Sequence, residues 1–119
     1  MVSQGVQSFN PEQLQQLLGN DKKAIVDVLH IACDTLPRAA ARLTERDISH
    51  ADARSVAHQL KGASRTAGAD ELAVIASALE EELEADWTPK ARALAASLPA
   101  ATRRFVAATT AYLHTVNAQ

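Results

Sequence analysis

Along most of this chain apolar residues return at steps of three and four, with polar residues between them. That spacing gathers them on one face of an α-helix. The first run is short: Leu14, Leu17 and Leu18, opened by Asn10-Pro11-Glu12 and closed by Gly19-Asn20. An asparagine side chain caps free N–H groups at a helix start, and a proline in the first helical position has no N–H to leave unbonded. The second run begins after Asp21 and carries Ile25, Val28, Leu29, Ala32, Leu36, Ala39, Ala40 and Leu43. Pro37 falls inside it, yet the stripe stays in phase beyond it. The pattern therefore predicts one bent helix reaching about Arg46.

Ser49 opens a third run, Ala53, Val56, Ala57, Leu60, Ser64 and Ala67, which Gly68 closes. Asp70 is placed to cap a fourth, with Leu72, Ile75, Ala76, Leu79 and Leu83 on its inner face. Thr88-Pro89 opens a fifth and longer one, with Leu94, Leu98, Ala101, Phe105, Ala108 and Tyr112, and Trp87 at the preceding turn is expected to pack across the bundle end. Loops this short set neighbouring helices antiparallel. The expected fold is all-α: an antiparallel up-down four-helix bundle with a short extra N-terminal helix. Residues 9–117 form its single domain, after a polar, flexible lead-in over residues 1–8.

Composition supports helices and removes several function classes. The chain has 119 residues, 47 % apolar but only 3 % aromatic, with few glycines and prolines. A net charge of -2 and scarce aromatics argue against a nucleic-acid partner. No apolar run approaches the roughly 18 residues of a membrane span, so no membrane contact is expected. MVSQGVQ lacks the charged and apolar regions of a signal peptide. The lone Cys33 cannot form an internal disulfide, which fits a reducing, cytoplasmic setting. No metal is expected: His30, His50, His58 and His114 form no i,i+4 pair, His30 and Cys33 read as packing or surface, and His50 and His114 look incidental.

The candidate chemistry lies in AHQLKGASRTAGA, residues 57–69. His58, Lys61, Gly62 and Arg65 stand at i, i+3, i+4 and i+7 and share one helix face. Leu60 lies about 200° around from His58, so the histidine looks away from the core. A glycine within a helix costs roughly 1 kcal/mol against alanine, which on an exposed face suggests that another body must come close to the backbone. Arg54, Lys61 and Arg65 make this face locally +3, with no acid between them in sequence. An accessible neutral imidazole can carry a phosphoryl group on one ring nitrogen, and such a face would receive the anion. The other nitrogen then needs an acceptor to fix the tautomer. Folding back after Gly68 brings ALEEELEAD alongside, with Glu80 the natural acceptor and Glu84 the second; Glu81 and Glu82 read as solvated.

HQLKGAS, followed by AGADEL and then ALEEEL, resembles the histidine-containing phosphotransfer (HPt) domains of phosphorelays, over about residues 9–115. Such domains occur at the C-terminal end of hybrid sensor histidine kinases or as free-standing relay proteins. The resemblance implies that His58 is the phosphorylated histidine, that Lys61 helps hold the phosphoryl group, and that Glu80 bonds the ring. It also implies that Gly62 lets a partner dock, with Gln59 a polar position near the site and Ser64 a small one that packs. Arg65 and Arg54 lie on the docking face by our own reading. Where some members are basic one turn after the ring-bonding residue, this chain has Glu84, which departs from the pattern. The implied function is a phosphorelay intermediate, not a kinase or ATPase. It takes a phosphoryl group from a receiver-domain aspartyl-phosphate and passes it to the aspartate of another response-regulator receiver. Its partners would be such receivers, including that of a hybrid kinase. No cofactor is expected in the chain, Mg²⁺ being the receiver's. Leu14, Leu17 and Leu18 are expected to add an apolar edge to the docking surface, and a monomer is expected. The competing reading is a non-catalytic helical interaction bundle, in which His58 would be dispensable.

Overall fold

The computed structural model describes residues 6–117, and residues 1–5 of the expected lead-in over residues 1–8 lie outside them. Five helices follow in order: α1 (Pro11–Leu18), α2 (Lys22–Leu43), α3 (His50–Ala67), α4 (Asp70–Glu82) and α5 (Pro89–Asn117), with no strand among the described residues.

Local chemistry sets most of the boundaries. The Asn10 side chain accepts from the backbone N–H of Glu12 and Gln13, Asp21 from Ala24, and Ser49 from Asp52. Thr88 Oγ1 accepts from Ala91 N–H at 2.9 Å and starts α5. Gly68 ends α3 in the left-handed region at φ 73°. The helix α2 passes through Pro37, as its unbroken stripe predicts, and α5 likewise passes through Pro99.

Two expected boundaries are corrected. Asp70 does not cap α4: Ala69 holds that position without a side-chain bond, and the Asp70 carboxylate instead accepts from Asn10 Nδ2 at 3.1 Å. The helix α2 stops at Leu43 rather than near Arg46. Thr44 closes it, its hydroxyl donating back to the Ala41 carbonyl at 2.7 Å.

Within the four long helices, α2 packs on α3 and α5, and α4 packs on α3 and α5; α1 rests on α2 and α3. Polar contacts tie the start of α3 to the ends of both its neighbours, α2 and α4. His50, the first residue of α3, meets the carbonyl of Leu83 just beyond α4 at 2.6 Å. Arg42 near the end of α2 meets Asp52 near the start of α3 at 3.3 Å. His50 is therefore a pin between two helix ends, not an incidental residue.

The core between these helices is mostly leucine and alanine, including Leu29, Leu36, Leu60, Leu72, Leu79, Leu98 and Phe105. Alanine on the facing sides lets the helices approach and the leucines interlock. Buried Ala91, Ala95, Thr102 and Thr109 extend the inner face of α5, while Leu94 and Ala108 sit half-buried at its rim. Trp87 is partly buried at the bundle end, where the Arg92 guanidinium stands 5.1 Å over its ring.

Phe9 seals the other end, edge-on to Phe105 at 5.8 Å and to Tyr112 at 5.3 Å. A Cβ on Gly68 would stand 2.5 Å from the Asn10 carbonyl oxygen, so the turn after α3 and the entry to α1 fit only with glycine there. Just upstream, the Gln7 carbonyl accepts the Glu71 N–H at 2.9 Å.

Candidate functional site

The site is built on two adjacent helices. Helix α3 buries Ala53, Ala57, Leu60, Ser64 and Ala67, which turns the intervening residues outward. His58 is among them, with its side chain 69 % exposed. Helix α4 buries Leu72, Ala76 and Leu79, which sets Glu80 at the flank facing α3.

Glu80 joins the two helices. Its Oε2 stands 2.6 Å from His58 Nδ1, and its Oε1 forms an ion pair with Lys61 Nζ. The carboxyl is held below its ordinary range, chiefly by the Lys61 hydrogen bond, with the His58 bond and both charges adding and burial opposing. An ionised carboxylate can only accept, so Nδ1 carries the ring proton. Nε2 is then the lone-pair nitrogen, pointing to solvent with no partner among the described residues.

Glu80 thus reaches His58, as the spacing after the Gly68 turn suggests. Glu84 does not: α4 ends at Glu82, and Glu84 is exposed in the following turn. The local charge also differs from expectation. No acid separates the cations along α3, but Glu80 enters from α4 and pairs Lys61. The unpaired positive charge on this face is that of exposed Arg54 and Arg65, neither with a partner among the described residues. Lys61 is itself half-covered, its side chain 22 % exposed.

Gly62 is exposed, and a Cβ added there would meet nothing within 4 Å. Neither backbone conformation nor packing inside the chain requires glycine at this point; its φ is not positive. Gln59 is exposed, its amide donating to Ser55 Oγ at 3.4 Å. Ser64 is fully buried, its hydroxyl without a partner among the described residues. It packs, as expected, but carries an unpaired polar atom into the α3 interior.

Sequence reasoning misjudged the apolar surroundings. Leu14 is fully buried and Leu18 half-buried, so only Leu17 of the α1 leucines is open, at 56 %. An apolar groove of about 260 Å³ opens between α2 and α3, lined by Val28, Ile31, Thr35, Ala63 and Thr66 among others. Ile31 is 62 % exposed there. The signal was present in sequence: Ile31 is a large β-branched residue off the α2 stripe, on a face that packing leaves open.

Elsewhere the chain offers little competing chemistry. His30, Cys33 and His114 line one groove between α2 and α5, but Cys33 Sγ bonds Thr109 Oγ1 at 3.1 Å. No three His, Cys, Asp or Glu residues among the described ones stand together as metal ligands do. No helix among them is long and apolar enough to cross a membrane.

Compared with known proteins, the chain matches one family model, described as the Hpt domain, over residues 10–108. No curated protein and no solved structure matches it.

Proposed function

The chain belongs to the Hpt domain family, whose members are phosphotransfer intermediates of two-component signalling rather than kinases or ATPases, and on that premise we propose that His58 is its phosphoryl carrier. One observation carries the reading: an exposed imidazole whose Nδ1 is engaged by Glu80 at 2.6 Å, leaving Nε2 open to solvent. In this reading Nε2 attacks the phosphorus of a receiver's aspartyl-phosphate. The acyl-phosphate P–O bond breaks and the aspartate leaves as a carboxylate. The reverse attack by the aspartate of a second receiver returns the imidazole. Glu80 fixes the tautomer, so the nucleophile needs no proton removed before attack. Lys61, one carboxylate away from the ring, supplies a cation for the incoming phosphoryl oxygens. The receiver brings Mg²⁺ and most of the charge stabilisation.

Gly62 has a role in this reading. With nothing inside the chain against it, its missing side chain serves a body that comes from outside, namely a receiver domain seated over α3. Gln59, Arg54 and Arg65 flank the same strip and form its polar rim. The four long helices, read as an antiparallel up-down bundle, act as a rigid mount. A monomeric, cytoplasmic chain fits this role, whether free-standing or joined to a hybrid kinase.

The test is label transfer from a radiolabelled phosphorylated receiver with Mg²⁺. Wild-type chain is expected to acquire acid-labile, alkali-stable label, and folded His58→Gln none. Equal labelling of both, or of neither with several receivers, returns the chain to the interaction-bundle reading.

A further inference from the structure

Glu80 is a carboxylate where an amide would also hold the ring, and the difference matters once the ring is phosphorylated. This inference rests on His58 being the phosphoryl carrier. When Nε2 attacks phosphorus with its lone pair, the ring gains a positive charge and Nδ1 still carries its proton. An amide at this position can turn its oxygen or its NH₂ toward the ring, and so tolerates loss of that proton. A carboxylate offers only acceptors. In direct hydrogen-bond contact it favours the protonated ring. Its second oxygen is occupied by Lys61, which keeps it ionised and oriented.

We propose that Glu80 keeps Nδ1 of phosphorylated His58 protonated, so that the chain passes its phosphoryl group on rapidly instead of storing it. The bonds account for the effect. In onward transfer the receiver aspartate attacks phosphorus, the Nε2–P bond breaks, and its electron pair returns to Nε2. From a protonated ring the leaving group is neutral imidazole, with its proton already on Nδ1. From an unprotonated ring it is imidazolate, a far poorer leaving group. Glu80 therefore acts as a positioning residue for a proton that never moves during either half of the relay.

The experiment uses full chain with ¹⁵N-labelled imidazole, phosphorylated by phosphoramidate, whose P–N bond breaks as ammonia leaves. Nitrogen NMR at pH 8 then reads the state of Nδ1. Wild type is expected to show a protonated Nδ1 beside the phosphorylated Nε2. Glu80→Gln, with unchanged circular dichroism, is expected to show a bare Nδ1, a longer-lived phosphohistidine, and donation to a receiver slower by at least about tenfold. Lys61→Met should retain the Nδ1 proton, which separates the role of Glu80 from a general loss of site order. A bare Nδ1 in phosphorylated wild type, a lost Nδ1 proton in Lys61→Met, or equal donation rates for wild type and Glu80→Gln would overturn the proposal and leave the carrier reading standing. A chain that takes no phosphoryl group from phosphoramidate or from a receiver overturns both.

Discussion

Among single residues Glu80 does the most, because one carboxylate holds a ring and an ammonium from another helix. Its position also links the site to acidity. Its folded-state carboxyl titrates below the ordinary carboxylate range, first because of Lys61. A depressed carboxyl contributes stability above its unfolded value near 4.3, and that contribution is lost as pH falls through the lower folded value. Melting temperatures of wild type and Glu80→Gln should therefore differ most at pH 6–7 and draw together as pH falls through the depressed folded-state value. A gap that persists unchanged at pH 3 would mean the pairing seen here contributes nothing to folding. Gly62 gives the opposite trade. In open helix surface, Gly62→Ala should stabilise the chain by about 1 kcal/mol in urea melts. Gly62→Leu should fold equally well yet weaken receiver binding, measured by titration calorimetry, at least tenfold.

At the scale of elements the legible and the illegible separate clearly. Helix existence was written in period and caps: Asn10, Asp21, Ser49 and Gly68 each do locally what their residue types do in isolation. Asp70 misleads because a tertiary partner, Asn10, sixty residues away in sequence, takes the carboxylate that would have capped α4. The end of α2 misleads because polar residues beyond Leu43 carry no periodic signal. The His58–Glu80 pairing was legible because one tight turn fixes the register of α3 against α4. The docking edge was not, since which apolar residues stay open depends on how α1 lies across α2 and α3. A receiver interface of ordinary size covers roughly 800 Å² per partner, so it would reach beyond one helix face to a neighbouring helix. The apolar α2–α3 groove, lined on the α3 side by Ala63 and Thr66, is the candidate for that extension. Ile31→Glu should leave melting within about 0.5 kcal/mol, as an exposed substitution, and lower receiver affinity about tenfold or more. Unchanged affinity would place the partner on the α4 side, over Arg65 and Val74.

For the whole molecule the decisive fact is where the chain is closed. Phe9, Asn10 and the Gln7 carbonyl tie the entry segment across the α3–α4 turn at Gly68. Gly68→Ala should destabilise the entire fold by roughly 1–3 kcal/mol, since it meets both a positive φ and the Asn10 carbonyl. A loss confined to α1, with α3 and α4 amides still protected from exchange, would show instead that this closure is local.

His58 sits near the middle of an 18-residue helix, on one exposed strip, with no loop of its own to swing. A phosphoryl carrier in that position could not travel from one visitor to the next; each visitor would have to leave before another arrives. Traffic through such a site is first come, first served. An unphosphorylated donor that lingers on α3 would block the acceptor as effectively as an inhibitor would, so the output of the relay would depend on the relative abundance and residence times of its visitors as much as on the chemistry at the ring.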